Sequence, residues 1–166
     1  MKILKYFLII FIGFFILNFG LNKLKKNGYR ITYQVTKSMP KGFYLITPAK
    51  SAHRGDIVLF KPPAKTLSFL LKKKWLPDDG LMLKYVFAVP GDYVYQNKGW
   101  IYINHHRIAP IYREYKPGKK LPNNRFCGKL TKHQYLLMSN KVKRSFDGRY
   151  FGPIWDKKII GVAKHL

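Results

Sequence analysis

Between Tyr6 and Leu21 the chain reads YFLIIFIGFFILNFGL without a single charge, and extending back to Ile3 adds only Lys5, whose amine can snorkel to an interface. A bilayer span is expected; the alternative, a helix buried in the domain, is disfavoured because the segment is apolar on every face and the domain is small. No small-x-small cleavage pattern precedes the basic run Lys23, Lys25, Lys26, which favours a retained anchor over a removable signal. Residues 1–26 are therefore read as an anchor with basic flanks, and residues 27–166 as one folded domain. Lys2, Lys5 and the terminal amine on one side face Lys23, Lys25, Lys26 and Arg30 on the other, so charge does not choose the orientation.

Beyond the anchor, runs rich in β-branched and aromatic residues recur between turn signals: ITYQV, GFYLI, DIVLF, LKYVFAV, DYVYQ, WIYIN, QYLLM and IIGVA. Pro and Gly punctuation, from Pro40 and Gly42 through Pro90-Gly91 to Pro117-Gly118, leaves little room for helices beyond one or two turns. The expectation is an all-β domain of coiled sheets. Two segments break the strand rhythm, 61–80 and 105–125, and are expected as loops or an inserted lid. The first mixes Phe69, Leu70, Leu71 and Trp75 with Lys72, Lys73 and Lys74, a composition open to two readings: a segment lying on an anionic membrane surface, or a surface hairpin.

Composition narrows the function classes. Lys and Arg number 32 against 7 Asp and Glu, a net charge of +25 that favours polyanions, either nucleic acid or the anionic face of a bilayer. A solvated basic face is the plain alternative, and no recognised nucleic-acid motif is present. Cys127 is the only cysteine, which excludes an intrachain disulfide and reads as a small buried hydrophobe. His53, His105, His106, His133 and His165 show no ligand spacing, so no metal and no cofactor is expected. Neither a nucleophile elbow nor a phosphate-binding glycine loop appears.

Three short segments can carry chemistry. In Thr36-Lys37-Ser38-Met39-Pro40-Lys41-Gly42 a serine precedes a proline by two, a turn able to hold a hydroxyl rigid and exposed. In Leu83-Lys84-Tyr85-Val86-Phe87-Ala88-Val89-Pro90-Gly91-Asp92 a lysine interrupts an apolar strand pattern. If buried, its amine would lose hydration and favour the neutral form, which can take a proton from a serine hydroxyl; if on an edge strand, it would reach water. In Arg144-Ser145-Phe146-Asp147-Gly148-Arg149-Tyr150-Phe151-Gly152-Pro153 an Asp and an Arg stand two apart beside another hydroxyl, a pattern that also suits an ordinary turn.

In this order, behind an N-terminal apolar segment, the three resemble the type I signal peptidase family, and the conjugative-transfer, TraF-like branch in particular. Ser38-Met39-Pro40 is similar to the nucleophile box, Gly55 through Phe60 to the following strand box, Lys84 through Asp92 to the lysine box, and Ser145 through Gly152 to the last box. The resemblance implies a coiled β-sheet domain of the signal-peptidase and LexA-like kind, with Ser38 as nucleophile and Lys84 as general base. It further implies that Ser145 orients Lys84, that the Ser38 N–H and the Thr36 hydroxyl form the oxyanion hole, and that Asp147 and Arg149 brace the site. Ala88, Tyr85 and Gly148 stand where the family commonly has Gly, Arg and Ser, and Ser139-Asn140-Lys141 replaces the usual Gly-Asp-Asn lead-in. This last departure, the short chain and the Tyr-Phe-Gly-Pro ending of the last box favour the conjugative-transfer branch.

By the same resemblance the catalytic domain is expected on the outer, periplasmic face of a bacterial inner membrane, held by a single pass. The expected substrate is a precursor protein, a pilin or another component of a secretion or conjugation apparatus, with small side chains one and three before the cut. Two rival readings remain: a general type I signal peptidase, and, from a different class, a membrane-tethered basic nucleic-acid-binding protein. A self-cleaving regulator with the same chemistry is disfavoured by the anchor and by the lack of a helix-turn-helix.

Overall fold

The structure, a computed structural model, describes residues 2–76, 79–140 and 142–166. Helix α1 (Lys2–Lys26) ends where Gly28 takes φ 83°, and the N–H groups of Gly28 and Tyr29 return to the carbonyls of Lys25 and Leu24. Tyr6, Phe7, Phe11, Phe14, Phe15 and Phe19 are exposed along it. Among the described residues no helix is long and apolar enough to cross a membrane. The anchor expected over Tyr6–Leu21 is only partly covered, because the side chains of residues 2–5, 8–10, 16, 17 and 21, Lys2 and Lys5 included, lie outside the described residues.

The remainder is mostly sheet, in the order β1 (Arg30–Gln34), β2 (Gly42–Thr47), β3 (Ile57–Phe60), α2 (Ala64–Lys72), β4 (Met82–Ala88), β5 (Tyr93–Asn97), β6 (Trp100–Ile103) and β7 (His106–Pro110). There follow β8 (Glu114–Lys116), β9 (Lys119–Lys120), β10 (Cys127–Lys129), β11 (Gln134–Met138), α3 (Gly148–Phe151), β12 (Ile154–Trp155) and β13 (Ile159–His165). All eight apolar runs of the sequence form strands.

Among the described residues seven strands make the main sheet, ordered β1-β2-β13-β3-β4-β11-β12, and β10-β5-β6-β7 make a second. Pairing throughout the main sheet is antiparallel, with Val58 opposite Lys84 and Leu137 opposite Val86. Side chains alternate across the sheet, and each face packs its own cluster. Val58, Phe60, Met82, Val86, Leu137 and Phe151 lie on one side; Met39, Tyr44, Ile46, Leu59, Leu83 and Ala163 lie on the other. A third cluster, including Ala88, Leu136 and Met138 with Val94, Ile101 and Ile103, joins the two sheets.

Both interrupting segments are more regular than expected. Segment 61–80 contains α2, which begins directly after Pro63 and places Leu67, Leu70 and Leu71 three and four apart. Pro62-Pro63 is a breaker only for what precedes it, since a helix can start on a proline's fixed φ. Leu70 is buried, and Phe69, Trp75 and Leu76 pack against the core. The segment is thus neither a hairpin nor a helix presenting all its apolar residues outward. Segment 105–125 contains β7 and the β8–β9 hairpin. Cys127 is exposed, with Sγ 3.4 Å from the Tyr93 hydroxyl, contrary to the buried position expected of it.

Candidate active site

Lys84 comes from β4, an interior strand paired on both sides, so its amine has no sheet edge from which to reach water. Its side chain is 3% exposed and lies on the same face as Met82 and Val86. Nζ lies 2.8 Å from Ser38 Oγ. Burial pushes the Lys84 ammonium down to about 8; the nearby Asp147 carboxylate raises it and the Arg149 guanidinium lowers it. Near neutral pH the ammonium still predominates, with about a tenth of the amine neutral at pH 7, far more than for an exposed lysine.

Ser38 stands in the turn between β1 and β2, where the buried Met39 side chain plugs into the core beside it. Thr36 Oγ1 lies 3.1 Å from Ser38 Oγ and accepts a hydrogen bond from Gln34 Nε2 at 2.6 Å. Gln34 Nε2 also donates to the Thr36 carbonyl at 3.0 Å. An amide nitrogen only donates, so the Thr36 hydroxyl proton is free to point at Ser38 Oγ. Lys84 Nζ donates to Ser38 Oγ, and once the amine is neutral the Ser38 proton can turn toward it. Thr36, expected at the oxyanion hole, thus meets the nucleophile oxygen itself. Among the described residues the Ser38 N–H has no hydrogen-bond acceptor, which leaves it available to an oxyanion.

Behind this pair lies a buried charge cluster. Asp147 and Arg149 are 0% and 1% exposed. Arg149 Nε and Nη2 donate to the two oxygens of Asp147 at 2.8 and 2.9 Å, a bidentate fork. Its remaining donors reach the carbonyls of Pro110, Lys143 and Ser145 at 2.9, 2.6 and 3.0 Å. Every guanidinium donor is used, which offsets the cost of burying the charge. Asp147 also caps the short α3, accepting from the Arg149 N–H at 3.2 Å.

Ser145 is buried and lines the same cavity as Ser38 and Lys84. Its Oγ has no hydrogen-bond partner among the described residues, so the hydrogen bond to Lys84 implied by the resemblance is not formed here. The cavity has a volume of about 410 Å³ and is walled by Trp75, Tyr112, Tyr115 and Phe146. The two interrupting segments meet above it, with the rings of Trp75 and Tyr115 edge to face at 4.9 Å and Lys73 Nζ 5.2 Å from the Tyr115 ring centre.

Two polar residues at the site were assigned no role from the sequence, Ser139 being noted only as a departure from the usual lead-in. Gln34 ends β1 in an ordinary strand pattern. Ser139, in the lead-in whose Lys141 lies outside the described residues, donates from Oγ to the Ser38 carbonyl at 2.6 Å and from N–H to Asp147 at 3.1 Å. Both roles depend on contacts across the fold. Among the described residues no group of three or more His, Cys, Asp or Glu could hold a metal ion.

A serine hydroxyl against a buried lysine amine, on coiled antiparallel sheets, defines the class. The chain belongs to the signal peptidase, peptidase S26 family, whose model matches residues 2–166, and is a serine peptidase of that type. It is 33% identical over 156 residues to a plasmid transfer protein TraF of Escherichia coli, covering 85% of each chain. It is 29% identical over 123 residues to the signal peptidase I V of Bacillus subtilis (strain 168), covering 68% of this chain and 65% of that one. The match thus spans a little under two thirds of the Bacillus protein. The crystal structure of a signal peptidase I from Enterococcus faecalis V583 superposes with a TM-score of 0.39 at 20% identity, over 68% of this chain and 96% of that one.

Proposed function

We propose that this protein cleaves signal-peptide-like segments from exported precursors, with Ser38 as nucleophile and Lys84 as general base, and that its substrate is a pilin-type precursor of a conjugative-transfer system. The observation that carries the chemistry is the 2.8 Å contact between Lys84 Nζ and Ser38 Oγ. Neutral Lys84 takes the Ser38 proton as Oγ attacks the scissile carbonyl, and the Ser38 N–H meets the developing oxyanion. The resulting ammonium gives that proton to the leaving amine, which departs with the C-terminal product. Lys84, neutral again, then takes a proton from water as it attacks the ester on Ser38, releasing the N-terminal fragment and restoring the hydroxyl. Ser145, unpartnered on the same cavity, would hold the amine while it carries the extra proton. Asp147 and Arg149 hold the wall behind it.

The conjugative role is supported by the TraF relative, and a general signal-peptidase role by the Bacillus one. We further propose that α1 anchors the protein by a single pass, with the domain on the outer face of the inner membrane. The aromatic residues exposed along α1 and the basic flank Lys23, Lys25, Lys26 support this.

Co-expression with a pilin-type precursor from the same genome tests the reading. Wild type should process the precursor, and Ser38→Ala and Lys84→Ala, present at normal membrane levels, should not. Unchanged processing by both variants would discard the assignment.

A further inference from the structure

The turn carrying Ser38 is suspended in an unusual way. Among the described residues no backbone-to-backbone hydrogen bond ties the segment 36–41 to the rest of the fold outside the strands. Four of its carbonyls are instead held by side chains. The Thr36 carbonyl accepts from Gln34 Nε2 at 3.0 Å, the Ser38 carbonyl from Ser139 Oγ at 2.6 Å, and the Pro40 carbonyl from the Tyr44 hydroxyl at 2.8 Å. His165 Nε2 lies 3.1 Å from the Lys41 carbonyl, which can only accept, so that nitrogen carries the proton.

Of the four holders, Ser139 alone touches the nucleophile's own peptide group, and it alone is tied to the buried charge cluster, through its N–H to Asp147 at 3.1 Å. We infer that Ser139 is a positioning residue for the nucleophile: it transmits the fixed position of the Asp147–Arg149 pair to the Ser38 backbone. The peptide bond is planar, so pinning the Ser38 carbonyl sets the plane that leads into Met39, whose side chain is already locked in the core. Rotation about the Ser38 Cα is then restricted from its C-terminal side. Oγ stays within reach of Lys84, and the N–H keeps its direction toward the oxyanion. Ser139 is 7% exposed and does not line the cavity, so it acts without touching substrate.

The inference rests on Ser38 being the nucleophile, and the test separates the two. The full chain, with Ser38→Ala and Ser139→Ala variants, is assayed on a quenched peptide carrying alanine one and three residues before the cut. Hydrogen exchange is followed in parallel across 36–41. For Ser139→Ala we expect kcat to fall by about tenfold to a hundredfold, as for a reacting group displaced by a fraction of an ångström. KM should stay within about twofold, because no substrate contact is lost. The midpoint of the pH–rate profile should not move, and exchange should quicken in 36–41 with the rest of the domain unchanged. Wild-type kcat in Ser139→Ala would overturn the inference while leaving Ser38 in place, as would a loss of kcat accompanied by uniformly faster exchange, the mark of general destabilisation. Cleavage by Ser38→Ala would instead remove the reading on which the inference stands.

Discussion

The amine of Lys84 and the hydroxyl of Ser38 meet at 2.8 Å across a sequence separation of 46 residues, and the amine does so from a side chain only 3% exposed. The same burial pushes the lysine down to about 8. With neutral Lys84 as the proposed base, kcat/KM should rise with pH along a limb whose midpoint lies near 8 and level off above it. A pH–rate profile on a peptide substrate checks this; activity falling through that range would exclude a neutral Lys84 as the base.

Burying a charge costs stability, and the sign of that cost can be followed. Below pH 8 Lys84 is protonated both folded and unfolded, so the folded state carries the full penalty. Between about 8 and its ordinary 10.5 the folded protein releases the proton before the unfolded chain does, and the unfolding free energy climbs. Replacing Lys84 with methionine should remove the penalty, raising stability at pH 7 by about 1–3 kcal/mol, and should abolish the climb. Denaturant titrations of both proteins at pH 7 and pH 10 measure the difference.

Asp147→Asn keeps the shape of the side chain and removes its charge. Arg149, 1% exposed, would then face an uncompensated burial. A loss of about 3–5 kcal/mol is expected in urea melts. Replacing both residues with apolar ones of similar volume should recover much of that stability and none of the activity.

Gly148 separates the members of this pair with no room for a side chain. A Cβ there would lie 2.7 Å from the Leu137 carbonyl oxygen and 2.9 Å from Leu136 Cδ1. Gly148→Ala should therefore push α3 off β11, lowering stability by about 1–3 kcal/mol and reducing kcat through Asp147. Thermal melts and peptide assays of this variant provide the check.

How much of this could be read beforehand depends on how local the cause is. The eight main strands were legible because alternation and turn residues act over a few positions. That Lys84 belongs to an interior strand was not, since an edge and a centre read alike until partners are known. The residues alone leave both an edge lysine and a buried one open, and only the order of the boxes favours the buried one. α2 was hidden by Pro62-Pro63, which read as an interruption although it opens the helix. The two-residue spacing of Asp147 and Arg149 suggested a turn; that every donor of Arg149 is satisfied depends on carbonyls as distant as Pro110. Gln34 gave no sign at all and Ser139 only that of a departure from the usual lead-in, because their contacts run between segments.

The position of β13 gives the molecule a timetable. β2, which leads from the Ser38 turn, and β3, which pairs with the Lys84 strand, are not neighbours in the sheet; β13, Ile159–His165, lies between them and pairs with both. A ribosome delivers these strands in order, and the two halves cannot be joined in the sheet until residues as late as His165 have emerged. The strand that closes the sheet between the Ser38 turn and the Lys84 strand is thus among the last to leave the ribosome, and the proposed dyad is framed only once it is in place.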